Sequence, residues 1–309
     1  MSTVQQAMTL DKKSLPLDKP QSALGWKMPS LNRILIYALL ILVAIIWLAP
    51  LLVMVMTSLK TLNDIQVSSL FSLPQTLSTE AWDKAWNSAC TGIRCEGVKG
   101  FFINSFIMVL PAVLISTFIG SINGYILALW RFKGSEILFS FILFGCFIPF
   151  QVIILPMAKT LGYLGLGQSI PGLIMVHVVY GICFTTMFFR NFYTSIPAEL
   201  VKAARIDGAS FFRIFQRIIL PISGPIFMVS VIWQFTQIWN DFLFGVVFAG
   251  GESSPIMVGL NNLTNTTTGV KEYHVEMAAA MITALPTLLV YVLAGKFFVR
   301  GLTAGAVKG

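Results

Sequence analysis

Charged residues and histidines are scarce in this chain. Only 11% of its 309 residues are charged, whereas 56% are hydrophobic. A soluble globular domain carries about 25% charged residues, so the composition excludes an ordinary soluble domain. The sequence lacks GxxxxGK[ST], HExxH and GxSxG motifs, and its only histidines are His177 and His274. We therefore expect no catalytic residue, no metal site and no cofactor bound by this chain.

Long apolar runs make up most of the rest. Runs of about 20 apolar residues predict helices that cross a bilayer. Six such runs occur, at 34–57, 104–130, 136–157, 170–189, 218–247 and 276–299. The fifth run is too long for one straight span, so it includes part of the preceding loop or tilts strongly. These runs predict an all-α polytopic membrane protein with six transmembrane helices.

The basic residues indicate the orientation in the membrane. The net charge is +8, and most of the 21 Lys and Arg fall in the segments on one side if the spans alternate. Because cytoplasmic segments carry the excess of Lys and Arg, both termini are predicted to be cytoplasmic. The positive charge is thus a topology signal, and we expect no nucleic-acid binding. The predicted parts are a tail at 1–33, a membrane domain at 34–300 and a tail at 301–309.

One polar segment, residues 195–217, interrupts the apolar second half. Glu199 stands in the first turn of a predicted helix that ends at Gly208, where glycine takes a left-handed conformation at the lowest cost. Ser210 is the predicted side-chain cap of a second helix. Four residues of that helix form one apolar stripe, namely Phe211, Ile214, Phe215 and Ile218. The pattern favours docking against another protein, and the alternative is an amphipathic helix in the membrane interface without a partner.

Four stretches are distinctive, namely IPFQVIILPM at 148–157, IPAELVKAARIDGA at 196–209, IILP at 218–221 and WNDFLF at 239–244. They resemble the permease subunits of bacterial ATP-binding-cassette carbohydrate importers of the maltose-transporter type. The resemblance implies a multi-pass protein of the bacterial inner membrane that forms half of a sugar pathway. It also implies a second homologous permease, two ATP-binding subunits that hold ATP and Mg²⁺, and an extracytoplasmic sugar-binding protein. A monosaccharide such as glucose or mannose is our hypothesis for the cargo.

The same resemblance assigns residues 195–217 as the loop that couples to the ATP-binding subunits. The family's coupling positions correspond to Ala203, Ala204, Asp207 and Gly208, completed by Ile218, Leu220 and Pro221. Lys202 stands where the family has glutamate. Whether Glu199, one turn earlier, replaces that glutamate stays open.

Polar residues in the predicted spans allow two interpretations. Gln234, Gln237 and Asp241 are spaced i, i+3, i+7, with Trp233 and Asn240 beside them, and Gln151 follows Pro149 in the third run. Amide and carboxylate groups beside an aromatic ring are suited to hydroxyl-rich solutes, so these residues are candidates for the sugar pathway. The alternative is ordinary hydrogen bonding between helices. His177 is predicted to be a hydrogen-bonded histidine of the helix bundle.

The first outer loop, 58–103, contains Cys90 and Cys95, separated by four residues that include a glycine. A turn in this segment can bring the two Cα atoms to about 5–6 Å, which predicts a disulfide, with two free thiols as the alternative.

Two alternative functions fit the sequence less well. An ion-coupled secondary transporter needs a carboxylate or charge relay at the membrane midplane, and only Asp241, near a span end, is available. A small channel subunit would leave the 195–217 segment unexplained.

Overall fold

The structure is a computed structural model that describes residues 30–69, 71–266 and 271–306, and the backbone alone for 296–306. Most of the predicted N-terminal tail and the last three residues of the C-terminal tail lie outside these ranges. In the part of the chain that is described, all regular secondary structure is helical. The prediction of an all-α protein is therefore confirmed.

The helices follow one another in a single order. They are α1 (Leu31–Ser58), α2 (Leu62–Val67), α3 (Glu80–Asn87), α4 (Lys99–Leu129), α5 (Ser135–Phe147), α6 (Phe150–Tyr163), α7 (Ile170–Tyr193), α8 (Ala198–Ile206), α9 (Phe211–Ile214), α10 (Leu220–Ile222), α11 (Gly224–Trp239), α12 (Leu243–Phe248), α13 (Ile256–Asn265) and α14 (Tyr273–Ala306). A π-helical turn, Phe215–Ile219, joins α9 to α10, and a 3₁₀ turn, Gly251–Ser253, lies between α12 and α13. The chain divides after Pro50 into two compact units.

Among the described residues, four helices are long and apolar enough to cross a membrane, and the number rises to six if each of two bent pairs counts as one span. The four are α1, α4, α7 and α14. The chain is a multi-pass membrane protein. The predicted runs at 136–157 and 218–247 are not single helices, and each is broken for a local reason.

The break in the third run lies at Pro149. Pro149 has no N–H to donate, and it disfavours the helical conformation in the residue before it. Ile148 is accordingly extended, with φ −66° and ψ 121°, and α5 and α6 meet at a bend of 101°. In the fifth run, the helical segment 211–222 and α11 meet at Ser223 with a bend of 77°. The fifth run therefore does include part of the preceding loop.

Helices α4 and α7 form the most extensive helix pair of the second unit. Two glycines of α4 permit the close approach, because a Cβ on Gly120 would collide with Thr185 and one on Gly124 with Phe189. Small residues at helix contacts are the usual means of close packing in membranes.

The fully buried Trp239, the last residue of α11, lies in an aromatic cluster. It packs edge-on against Phe102 and Phe106, stacks with Phe235, and donates from Nε1 to the carbonyl of Thr283. This cluster holds α4, α11 and α14 together.

Candidate functional site

The polar segment folds as a helix, a glycine turn and a second helix. Helix α8 begins after Pro197 and ends at Ile206. Gly208 follows with φ +75°, and the Gly208 and Ala209 N–H groups donate to the carbonyls of Arg205 and Ala204. These are the hydrogen bonds of a left-handed helix end, which favours glycine. The predicted turn at Gly208 is therefore present.

The predicted side-chain cap at Ser210 is wrong. Ser210 precedes α9 in an extended conformation, but its hydroxyl makes no capping hydrogen bond. Its backbone carbonyl accepts from the Ile214 N–H instead. Packing, rather than a cap, holds this second helix in place.

The inner face of the segment is anchored by apolar contacts. Ile214 and Phe215 of the predicted stripe are buried, and Phe211 and Ile218 are half-buried. The ring of the buried Tyr125 on α4 lies 4.9 Å from that of Phe211 and 5.3 Å from that of Phe215. The segment is thus packed against the end of α4.

Hydrogen bonds connect the segment to the spans as well. At the bend before α11, the Ser223 hydroxyl donates to the Tyr193 hydroxyl at 3.1 Å. The Tyr193 and Ser121 hydroxyls are 2.9 Å apart. All three side chains are buried, so these bonds join α4, α7 and the start of α11 in a water-poor environment.

The outer face of α8 and its turn is exposed and mixed in character. Glu199, Ala203, Asp207 and Gly208 are exposed, and Ile206 beside them keeps 86% of its surface accessible. Leu200 and Phe212 are further exposed apolar side chains at 44% and 64%. Large apolar side chains exposed among polar residues are typical of a protein-binding surface.

Two of the predicted coupling residues differ from these in their surroundings. Ala204 is buried against the core. Lys202 lines a cavity at the end of α4, together with Arg205 and Trp130. At 100° per residue, Lys202 and Arg205 are centred roughly 150° from Ala203 and Asp207 around the helix axis.

Gln234 is a bundle residue in the described structure. It is buried, and its Nε2 donates to the Ser116 hydroxyl at 3.0 Å. Thr185 donates to the Ser116 carbonyl at 2.9 Å. These bonds join α4, α7 and α11, which matches the interhelical alternative for Gln234.

The other candidates for the sugar pathway are less buried than Gln234. Gln151, Gln237 and Asn240 are exposed, and Asn240 donates to the carbonyl of Thr236 at the end of α11. Trp233 is half-buried, with ring centroids 4.5 Å from Phe184 and 5.4 Å from Phe188.

The predicted i, i+3, i+7 stripe on one helix is wrong, because α11 ends at Trp239. Asp241 lies in the break that follows. Its carboxylate accepts from the N–H groups of Phe244 and Gly245, at the start of α12. It therefore caps α12 and does not extend the face of α11.

His177 on α7 faces this break. It is buried, its Nε2 lies 3.8 Å from an Asp241 carboxylate oxygen, and its ring lies 5.5 Å from that of Phe244. Nε2 has no hydrogen-bond partner within the described residues, so the expectation of a hydrogen-bonded histidine is wrong for this atom. Sequence reasoning missed the pair because 64 positions separate its members.

Outside the membrane core, Cys90 and Cys95 form a disulfide. The short loop that it closes is tied to the segments around α13. The Gly92 N–H donates to the Thr266 hydroxyl at 3.0 Å, and Arg94 forms an ion pair with Glu252 at 3.0 Å. The loop is thus part of one surface with the α12–α13 connection.

Comparison with known proteins assigns the chain to a family. Residues 120–303 match the family described as binding-protein-dependent transport system inner membrane component. The match covers more than half of the chain, and the chain belongs to this family. It is the permease subunit of an ATP-binding-cassette importer, in which a separate subunit hydrolyses ATP.

Individual relatives agree with the assignment. A probable ABC transporter permease of Pyrococcus horikoshii is 47% identical over 188 residues, covering 60% of this chain and 68% of the relative. The xylose/arabinose import permease of Haloferax volcanii is 32% identical over 298 residues, covering 90% and 94%. A solved bacterial ABC transporter involved in import of the acidic polysaccharide alginate shares the fold, with a TM-score of 0.75 and 20% identity over 88% of this chain and 99% of that one.

Proposed function

We propose that this chain forms half of the translocation pathway of a carbohydrate importer. The other half is a second, homologous permease. Two ATP-binding subunits carry ATP and Mg²⁺, and an extracytoplasmic binding protein delivers the sugar. The name of one relative supports a sugar as cargo, since it is an import permease for xylose and arabinose. A monosaccharide such as glucose or mannose remains our hypothesis for this chain.

The observation that carries the proposal is the two-sided character of the 195–222 segment. Its inner face is packed on Tyr125 and hydrogen-bonded through Tyr193, whereas its outer face exposes Ile206 and Phe212. A partner that pushes on the outer face displaces the ends of the spans, because packed and hydrogen-bonded elements move together. This is the mechanical requirement for coupling to an ATP-binding subunit.

The orientation follows from the same proposal. The coupling segment and both termini face the cytoplasm, in agreement with the basic residues near them. The loop closed by the Cys90–Cys95 disulfide then lies outside, on the surface that receives the binding protein. Its ties to Glu252 and Thr266 give that surface a defined shape.

Exposed polar residues suggest where the sugar passes. Gln151, Gln237 and Asn240 are exposed on this chain, and Trp233 lies half-buried beside the rings of two phenylalanines. We propose that the second permease covers these residues and that the pathway runs between the two subunits. Gln234 then supports the pathway from behind, through its bond to Ser116.

Co-expression of this chain with the proposed homologous permease and ATP-binding subunit tests the proposal. We expect a stable complex of this chain with both, and uptake of labelled sugar into vesicles that needs internal ATP and the binding protein. A panel of labelled monosaccharides and oligosaccharides identifies the cargo. Uptake that persists without ATP and collapses with a proton or sodium ionophore would instead establish the ion-coupled alternative.

A further inference from the structure

A cavity of about 490 Å³ lies where the end of α4 meets α8. Arg131, Lys202 and Arg205 contribute to its lining, and none of its lining residues is acidic. Apolar residues line it as well, among them Ile196 and Val201. The lining of the cavity therefore combines cationic and apolar residues.

The three cations are not neutralised by the chain itself. Within the described residues, neither Arg131 nor Lys202 nor Arg205 forms an ion pair. Arg205 is instead held in place by an aromatic ring, since its guanidinium carbon lies 3.7 Å from the centre of the Trp130 ring. A cation–π contact of this kind leaves the N–H groups of the guanidinium free to bind an anion.

The position of the cavity identifies the kind of anion. Trp130 is the residue at which α4 ends, and tryptophan and arginine at the end of a span lie at the level of the lipid headgroups. The inner leaflet carries the anionic lipids, and basic pockets beside spans on that side bind their headgroups. A phospholipid also supplies an apolar portion for the apolar part of the lining.

We propose that this cavity binds the phosphate of an anionic phospholipid of the cytoplasmic leaflet, with Arg131, Lys202 and Arg205 around it. The bound lipid then ties α8 to the membrane end of α4. This site rests on the proposed orientation and is separate from the coupling role. The ATP-binding subunit is expected at Ala203 and Asp207, which are centred roughly 150° around the α8 axis from Lys202 and Arg205.

Native mass spectrometry of the assembled transporter, purified in a neutral detergent, tests the proposal. The probe is dioctanoyl phosphatidylglycerol. The variant is the triple substitution Arg131→Gln, Lys202→Gln and Arg205→Gln. Each Lys or Arg near an anionic surface adds about a fivefold gain in affinity, so the triple variant is expected to bind about a hundredfold more weakly.

The matched control is Arg213→Gln with Arg217→Gln. It removes two exposed cations of the same segment that do not line the cavity, and we expect less than a twofold change. Dioctanoyl phosphatidylcholine should bind the unmodified transporter at least tenfold more weakly than dioctanoyl phosphatidylglycerol does. If the triple variant does not assemble, the single variants Lys202→Gln and Arg131→Gln provide the measurement, each with a roughly fivefold loss.

Three results overturn the proposal. The first is equal binding by the cavity variants and the control. The second is displacement of the lipid by millimolar inorganic phosphate, which would make this a free-phosphate site. The third is lipid binding that appears only after the ATP-binding subunits are removed, which would assign the cavity to their interface. Sugar uptake is measured separately, so failure of the lipid site and failure of the importer function are distinguishable.

Discussion

At the scale of single residues, Gly208 is the sharpest test of the coupling segment. Its φ is +75°, and a Cβ added there would meet no atom within 4 Å. The cost of a substitution is therefore conformational, about 1–2 kcal/mol for a residue forced into the left-handed region. We expect Gly208→Val to insert normally while sugar uptake and transport-stimulated ATP hydrolysis fall together, by about tenfold.

The matched control is Gly208→Asn. Asparagine enters the left-handed region more readily than valine, so this variant should retain most of the activity. Uptake and ATP hydrolysis by purified, reconstituted complexes provide the comparison. Normal uptake by a well-expressed Gly208→Val variant would refute the docking role of the turn.

Gln234 and Gln237 lie one turn apart on α11 and differ in burial. Gln234→Ala removes the hydrogen bond to Ser116 and leaves a cavity, so we expect a loss of about 1–3 kcal/mol of stability. Gln237→Ala changes an exposed side chain and should leave stability unchanged. Thermal unfolding followed by size-exclusion chromatography measures both. Should Gln234→Ala weaken sugar transport at unchanged stability, Gln234 belongs to the pathway after all.

At the scale of helices, the contact between α4 and α7 depends on small residues. A Cβ on Gly120 would collide with both the side chain and the backbone of Thr185. Because the backbone of a packed helix cannot give way cheaply, we expect Gly120→Ala to destabilise the protein by about 1–3 kcal/mol. Gly100→Ala, on the same helix with open space around it, should be neutral or slightly stabilising. Equal thermal midpoints for the two variants would contradict the packing argument.

At the scale of the whole molecule, the disulfide reports on the orientation. Structural disulfides persist outside the cytoplasm, so the Cys90–Cys95 loop is expected to face outward. This agrees with termini that face the cytoplasm, on the other side of the membrane. We expect mass spectrometry of the non-reduced, alkylated protein to find Cys90 and Cys95 linked. Cys183, which has no disulfide partner in the described structure, is the internal control for alkylation under denaturing conditions.

Alkylation of both residues without prior reduction would contradict the bridge, and it would reopen the orientation of every loop. A loop this short constrains the unfolded chain only slightly. The double variant Cys90→Ser with Cys95→Ser should therefore lose less stability than the roughly 3 kcal/mol that a disulfide closing a 15-residue loop contributes. The same double variant should still insert with an unchanged topology.

Local properties of the chain were predictable from the sequence. Apolar runs predicted the membrane class, and Gly208 predicted the turn after α8. Each depends on residues adjacent in the chain, through hydropathy or through the allowed backbone angles. The end of α11 at Trp239 was not predictable in this way, because the apolar run continues past it.

The sequence by itself determined that this is a helical membrane protein with a helix–glycine–helix segment between two spans. Only the tertiary structure decided that Gln234 is bonded to Ser116, that His177 faces Asp241, and that Lys202 lines a cavity with Arg131. These pairs are far apart in sequence, and a residue's burial and partners depend on which helices pack together. The chemical character of each side chain is therefore given by the sequence, whereas its burial and its partners depend on the tertiary structure.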